Sequence, residues 1–578
     1  MLKLFKYLKP YIFPIILMIG LTYIQVMAAL QLPDYMATIV NEGIIQENQP
    51  LIWDTGIKML LVTVVGAIST IAVGYIAAKV GTGFGKSLRK EVFSKVESFS
   101  LTEFNKFSIA SLITRSTNDV QQIQMVLTMM FRMVISAPIT GILAVTKANQ
   151  MAPSMTWIMW VAVVALIVII AVMLVMTLPK FEIIQKLIDK LNLVTRENLT
   201  GLRVIRAFNT EKDEEKKFDK VNRELMEVNL FVHRLMAFLQ PAMMLILNLT
   251  TIAIIWIGSH LIETGNLQIG DMMAFMQYAL QVIIAFLMVS MLFILIPRAS
   301  VSAKRILEIL ETKPVIIDPK KPKKPKKYMK GVVEFKNVTF AYPDADIPVL
   351  QNISFKAKPG ETTAIIGGTG SGKSTIVNLI PRFFDVTSGA IFVDGVDIRE
   401  MKQKELREKI GYIPQKGVLF SGTVESNIKY GAPDISADEV KKAAEIAQAS
   451  EFINKLGKKY KANIAQGGTN VSGGQKQRLS IARALATKPE IYIFDDSFSA
   501  LDFKTASKLR KDLKEETKDS TVIIVAQRIS TILDADQIIV LEDGEIVGIG
   551  RHEELMKTSK VYREIALSQL SEEELNRE

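Results

Sequence analysis

Gly367-Gly368-Thr369-Gly370-Ser371-Gly372-Lys373-Ser374, followed by Thr375, is the stretch whose reading decides the fold of this chain. It follows the apolar run Ala364-Ile365-Ile366 and leads into the helical pattern Thr375-Ile376-Val377, so it reads as a strand, loop and helix with the spacing G-x-x-x-x-G-K-[ST]. Glycines let consecutive backbone N–H groups converge on phosphate oxygens, and a helix N-terminus adds partial positive charge. Lys373 is then expected to reach the β and γ phosphates of a nucleotide and the Ser374 hydroxyl to ligate Mg²⁺. A flexible Gly/Ser turn is the plain alternative for the string alone; its downstream companions weigh against that.

The chain has 578 residues, enough for about three or four domains. Hydrophobic residues make up 49% of it, which points to a membrane protein rather than a large soluble enzyme. Cysteine is absent, which excludes disulfides, thiolate metal sites and cysteine nucleophiles. The net charge of +11 sits largely in one linker and in loops flanking apolar stretches, so membrane orientation explains it better than nucleic acid does.

Six apolar spans are expected, at about 10–33, 57–79, 128–148, 153–178, 235–262 and 272–297. The first follows Lys3, Lys6 and Lys9 without a cleavage site, so it reads as retained rather than as a removed signal. The third is the weakest, since only Met133 to Thr146 is uncharged between Arg132 and Lys147. The loop after the first span carries Glu42, Glu47 and Asp54 and no basic residue, whereas the next connection carries Lys86, Arg89, Lys90 and Lys95. Positive-inside bias places the N-terminus in the cytosol. The nucleotide loop belongs there too, so the number of spans is even, and both termini are expected to be cytoplasmic in a multi-pass plasma-membrane protein.

The connections 80–127 and 181–233 are long, mixed in charge and helical in period, as in Ile184, Leu187, Ile188 and Leu191. They read as spans continuing into the cytosol, with turns near Leu101–Ser108 and Asn198–Phe208. Solvated hairpins are the plain alternative, but the second turn, with Leu199, Leu202, Val204, Ile205 and Phe208, is apolar enough to favour docking on another domain. Within the spans, Gln277, Gln281, Ile284 and Met288 share a helical face, and Gln25 and Gln240 are polar. Met243, Met244, Met276, Met288 and Met291 suit either an adaptable binding cavity or ordinary packing. Between Thr312 and Lys330 the run Pro319-Lys320-Lys321-Pro322-Lys323-Lys324-Pro325-Lys326-Lys327 reads as an extended, hydrated linker, with attraction to anionic lipid heads as the lesser alternative.

From Gly331 onward short β-rich runs alternate with helical patterns, as in an α/β domain. Tyr342 precedes the phosphate loop by a hairpin length and is placed to stack on an adenine, although such an aromatic is more often core. Val471-Ser472-Gly473-Gly474-Gln475 followed by Lys476-Gln477-Arg478 resembles the signature sequence of ATP-binding cassette (ABC) transporters. Gln415, in Tyr412-Ile413-Pro414-Gln415, matches the family's Q-loop; Ile491-Tyr492-Ile493-Phe494-Asp495 resembles the Walker B strand, and Ser499-Ala500-Leu501-Asp502 the D-loop. Six spans with two long cytosolic connections are similar to the type I exporter membrane domain, so the resemblance covers nearly the whole chain.

The resemblance implies a membrane domain of six transmembrane helices over 1–311, a linker over 312–330 and an α/β P-loop nucleotide-binding domain over 331–578. It implies ATP bound by Tyr342, Gly367 to Thr375, Ser472, Gly473, Gly474, Gln475 and Asp502, with Mg²⁺ on Ser374, Gln415 and Asp495. The signature serves the opposite subunit's phosphate, so one chain cannot complete a site. Two departures stand out: the family's Glu after the Walker B Asp is Asp496, and its switch His is Gln527. Asp is one methylene shorter, about 1.5 Å of reach, and Gln can hydrogen-bond a γ-phosphate but carries no charge. Gln466 and Gly467 replace the Glu and basic residue that exporters usually carry ahead of the signature.

The catalytic positions are therefore Asp496, Gln527 and Gln415, and the pattern resembles the degenerate-site subunit of a heterodimeric exporter. The expectation is export of amphipathic or lipophilic compounds, drug or lipid, with a second half-transporter as partner, membrane lipid around it and no nucleic acid. A homodimer with Asp496 as a working carboxylate, and an ATP-gated channel or regulatory subunit, are the alternatives.

Overall fold

The computed structural model describes residues 2–325, 329–343 and 345–569; side chains 2, 290–295, 297 and 298 lie outside that description, and with them the expectations for Met291, Lys326 and Lys327. The chain divides into two compact units, one of Met1–Glu97 with Ser108–Thr312 and one of Ser98–Phe107 with Lys313–Glu578.

The first unit is helical. Six helical segments are long and apolar enough to cross a membrane, in the regions 3–44, 49–97, 109–151, 153–200, 211–263 and 269–289. The helices are α1 (Ile12–Thr38), α2 (Gln49–Glu97), α3 (Leu101–Lys106, in the second unit), α4 (Ile109–Thr114), α5 (Val120–Met133), α6 (Ser136–Met151), α7 (Thr156–Thr200), α8 (Leu202–Phe208), α9 (Glu211–Glu263) and α10 (Ile269–Glu311). The long elements α2, α7 and α9 carry the spans well past bilayer length, at 1.5 Å per residue. The turns fall at α3 and α8. Large apolar side chains such as Phe13, Ile71 and Val175 are about three-quarters exposed, as a lipid-facing surface requires.

The third span joins α5 and α6 with helical backbone carried through the joint: Val134 and Ile135 have φ/ψ of −69°/−30° and −79°/−45°, and the Val134 N–H donates to the Met130 carbonyl at 2.8 Å. Pro138 has no N–H to return to the carbonyl four residues back, and the Ser136 hydroxyl donates to the Arg132 carbonyl at 2.7 Å.

Charge at the edge of this unit is paired. Lys147 on α6 donates to Asp34 Oδ2 on α1 at 2.6 Å, and the fully buried Tyr278 on α10 donates to Asp34 Oδ1 and to the Leu30 carbonyl. Asp34 belongs to α1, one residue beyond the apolar stretch, so the run of uncharged residues did not disclose this three-helix contact.

The second unit holds a four-stranded antiparallel sheet, β2-β1-β4-β5, and a six-stranded sheet, β12-β11-β3-β10-β9-β6. The strands are β1 (Val333–Phe340), β2 (Leu350–Ala357), β3 (Thr362–Gly367), β4 (Ser388–Val393), β5 (Val396–Asp397), β6 (Ile410–Ile413), the short pair β7 (Gly422–Thr423) and β8 (Asn463–Ile464), β9 (Ile491–Asp495), β10 (Thr521–Val525), β11 (Gln537–Glu542) and β12 (Glu545–Gly550). Strands β6, β9, β10, β3 and β11 run parallel, and β9 and β10 are buried along their whole length, as a sheet covered on both faces demands.

The Lys/Pro run is extended and Lys320 to Lys324 are exposed, as read, but the linker is fastened at Ile316, Asp318 and Lys323. Ile316 is buried, Asp318 Oδ1 accepts the Gln403 backbone N–H at 3.0 Å, the Lys323 backbone N–H donates to the Glu400 carbonyl, and the Lys323 ammonium pairs with the Glu400 carboxylate at 2.8 Å. A segment rich in Lys and Pro docks here because its few apolar and acidic residues have partners, which composition alone does not reveal. Glu103, 4% exposed, fastens the elbow of α3 to the same linker: one oxygen accepts from the Ser100 N–H and hydroxyl, the other from the Val315 N–H at 3.0 Å.

Removing one member of the Asp34–Lys147 pair leaves a half-buried charge without its partner, a change that costs about 3–5 kcal/mol when burial is complete and less here. Asp34→Asn and Lys147→Met are each expected to lower the thermal midpoint of the chain in lipid, and the double variant to lower it by less than the two together. Additive midpoints would show that the pair does not couple.

Candidate functional site

The site is built where three parallel strands end in register. Ile365 of β3 lies opposite Val525 of β10, and Val525 opposite Asp495 of β9. The phosphate loop, the pair Asp495–Asp496 and Gln527 therefore leave the sheet along one edge, the place where open α/β sheets take ligands.

The loop after β3 has the backbone its glycines allow. Gly370 and Gly372 have φ of +87° and +93°, where L side chains are strained. Lys373 opens the helix α11 (Lys373–Leu379) and is 9% exposed. Its ammonium donates to the carbonyls of Gly367 at 2.9 Å and Gly368 at 2.6 Å. Burial pushes this ammonium below its ordinary pKa, against the pull of Asp496 and Asp495.

Beside it the Ser374 hydroxyl donates to Asp495 Oδ1 at 2.8 Å. Burial raises the Asp495 carboxyl, with hydrogen bonds from Ser374 and Tyr412 opposing the rise. Among the described residues no cluster of His, Cys, Asp and Glu could hold a metal alone. A hydroxyl and a carboxylate 2.8 Å apart are nevertheless hard oxygen ligands that suit Mg²⁺ when phosphate oxygens complete the set. Tyr412, quoted in the Q-loop string but given no role, is tied to Asp495 and to Asn378 Oδ1, the latter at 2.8 Å. Only a register of strands could have placed it there.

Asp496 is 7% exposed with φ of +47°, a left-handed conformation that Asp tolerates better than most residues. Its Oδ2 accepts the side-chain amides of both Gln527 at 2.8 Å and Gln415 at 3.2 Å. The three catalytic positions named from sequence thus form one cluster: a carboxylate clamped by two neutral amides. Gln415 donates an amide N–H to Asp496, which leaves its amide oxygen without a role in that contact.

Tyr342 is anchored rather than free. Its ring stands edge-on to Phe340 and Phe384, and its hydroxyl lies 3.0 Å from Thr375 Oγ1. The signature residues stand apart: among the described residues no hydrogen bond joins Ser472, Gly473, Gly474, Gln475 or Asp502 to the phosphate loop. Ser472 and Gln475 form a reciprocal cap on the helix Gly473–Ala486, and Asp502 caps the helix Phe503–Glu516 through the Thr505 N–H, which holds its carboxyl below the usual range. Gln466 and Gly467 lie in a tight loop where Gly467 has φ of +64°, so a basic side chain at that position would be strained.

Comparison with known proteins agrees with this construction. Residues 15–306 match the family model of the ABC transporter transmembrane region, and residues 350–499 match that of the ABC transporter. An ABC transporter ATP-binding protein of Mycobacterium tuberculosis is 41% identical over 567 residues, 98% of this chain and 97% of the relative. The chain belongs to the ABC transporter family. Another ABC transporter ATP-binding protein, YfiB of Bacillus subtilis, is 38% identical over 99% of each chain, and a fatty acid ABC transporter ATP-binding/permease protein of Mycobacterium bovis is 31% identical over 82% of this chain and 75% of its own length. The structure of a bacterial Atm1-family ABC exporter with ATP bound aligns with TM-score 0.81 over 99% of each chain at 25% identity. This ABC transporter therefore has the exporter architecture, six membrane helices followed by an ATP-binding domain.

Gly473 and Gly474 differ in a way that separates folding from assembly. A Cβ on Gly474 would meet the Ala500 carbonyl at 3.1 Å, whereas a Cβ on Gly473 meets nothing within 4 Å. Gly473→Ala is expected to leave the chain's stability and its own nucleotide binding unchanged yet to reduce ATPase of the assembled transporter about a hundredfold, because the added methyl group displaces a phosphate from its backbone donors. Unchanged turnover would remove Gly473 from the site.

Proposed function

We propose that this chain is one half of an ATP-driven exporter of amphipathic or lipophilic compounds, paired with a different half-transporter, and that its own phosphate loop holds ATP while hydrolysing it slowly. The observation that carries the proposal is the clamp on Asp496. A carboxylate that polarises water must reach it and be free to take a proton; here the shorter Asp accepts two amides, and Gln527 cannot become a charged donor. In this reading Lys373 and the loop amides bind the β and γ phosphates, Tyr342 flanks the base, and Ser374, Asp495 and Gln415 hold Mg²⁺, which neutralises the phosphates when bound. Ser472, Gly473, Gly474, Gln475 and Asp502 complete the partner's site, a role that the exposure of Ser472, Gly473 and Asp502 supports.

Two elbows support coupling to a second subunit. The first, Ser98–Phe107, groups with this chain's own nucleotide domain. The second presents Leu199, Leu202, Val204 and Phe208 exposed, with no buried residue in α8, and suits a docking surface on the partner. ATP-driven closure of the two nucleotide domains moves the elbows and switches the membrane cavity between inward-facing and outward-facing states. The nucleotide domain and both termini face the cytosol of a plasma-membrane protein, with the membrane domain over 1–311 and the nucleotide domain over 331–578. The relative described as a fatty acid transporter adds weight to a lipophilic cargo.

A second reading draws on the same clamp: two amides can also hold Asp496 ready as a weak base in a homodimer. ATPase of the chain alone in lipid, and then with its partner, separates the two. The proposal predicts negligible turnover alone, substantial turnover with the partner, and little loss from Asp496→Ala in the pair. Transporter-like turnover alone that disappears in Asp496→Asn establishes the homodimer instead. In the pair, Asp496→Glu with Gln527→His is expected to raise turnover at least severalfold.

A further inference from the structure

Two cavities adjoin in the membrane unit. One, about 190 Å³, lies among α1, α6 and α10 and is lined by Gln25, Ser136, Thr140, Gln281, Ile284 and Met288, among others. The other, about 490 Å³, lies among α6, α7 and α10 and presents Ile142, Val145, Trp160, Val163, Phe286 and Val289. They share Ala137 and Ala285 in their linings and so lie side by side. The smaller holds nearly all the polar groups; the larger is apolar save for Thr146.

The polar groups of the smaller cavity are largely unspent. Among the described residues the Gln25 amide and the Thr140 hydroxyl have no hydrogen-bond partner, and Gln281 reaches only the Ala29 carbonyl, at 3.4 Å. Such groups at bilayer depth are costly unless something answers them. Ser136 and Ala137, at the joint of α5 and α6, line the same cavity.

Among the described residues, neither lining contains Asp, Glu, Lys, Arg or His. Asp34 and Lys147 are bound to each other, with Tyr278 on Asp34, and Arg132 is exposed one helical turn before Ser136. A charged head would enter without a counter-charge, whereas a neutral head that both donates and accepts hydrogen bonds fits amides and hydroxyls.

We infer that the transported substrate is an amphiphile with an uncharged, hydrogen-bonding head seated between Gln25, Thr140 and Gln281 and an apolar body seated against Trp160 and Phe286. This rests on the exporter reading above and narrows its substrate class. Of the residues singled out for a membrane cavity, Gln281, Ile284, Met288 and Gln25 belong to it. Gln240 and Gln277 are exposed and line neither cavity, while Met243 packs against Leu166 and Ile283.

The test uses the full chain in phosphatidylcholine nanodiscs, with its partner, and three fluorescent probes that share a naphthyl-alkyl body and differ only in the head: a primary amide, a quaternary ammonium and a carboxylate. Polarisation above that of protein-free discs reports binding. The amide probe is expected to bind at least tenfold more tightly than either charged probe, and Gln25→Leu and Gln281→Leu each to weaken it about five- to tenfold, the worth of one hydrogen bond. Gln281→Asn should retain part of the affinity, and nucleotide binding should be unchanged in every variant, which guards against misfolding. Equal or tighter binding of the cation, tighter binding of the anion through Arg132, or indifference to both Gln→Leu changes overturns the inference. ATP-dependent transport of the amide probe is read separately: transport with silent Gln variants defeats this inference alone, and selective binding without transport defeats the exporter reading alone.

Discussion

Everything chemical in this molecule depends on one geometrical constraint, the in-register ending of β3, β9 and β10. Parallel strands paired at Ile365, Val525 and Asp495 fix where the phosphate loop, the two aspartates and Gln527 emerge. The fully buried apolar side chains of these strands, Ile365, Ile493 and Ile523 among them, hold the register, because a one-residue slip would reverse every side chain between two covered faces. The Ser374–Asp495 contact and the double amide on Asp496 follow from that register rather than from any long-range electrostatic design.

Much of this was legible from the residues. The phosphate loop, the signature and Asp495 announce themselves by residue type and spacing, since glycine, lysine and a strand-end carboxylate have few alternative reasons to stand together. The departures at Asp496 and Gln527 were also readable, but their consequence was not. That both Gln527 and Gln415 converge on the same oxygen of Asp496 requires three segments far apart in the chain to meet, and so does the position of Tyr412. Tyr342 shows the converse: its sequence context left an adenine platform and a core aromatic both open, and its anchoring by Phe340, Phe384 and Thr375 was not readable.

In the membrane unit, hydropathy located the spans because every backbone group in a bilayer must be satisfied within a helix. It missed the Asp34–Lys147–Tyr278 contact, which depends on which helices become neighbours. The exposed Lys/Pro run of the linker was legible from composition, whereas its anchoring through Ile316 and Asp318 was not. Glu103 completes the same pattern, a buried carboxylate whose three donors come from its own elbow and from the linker.

The account turns on whether this chain's own phosphate loop retains ATP while the partner's turns over. The direct measurement is the identity of the nucleotide held at each site of the assembled transporter during turnover, read by vanadate trapping with a photoactivatable ATP and separation of the two chains. The account predicts intact triphosphate on this chain and trapped diphosphate with vanadate on the partner. Trapped diphosphate on this chain at equal yield would contradict it and make Asp496 a working catalytic carboxylate.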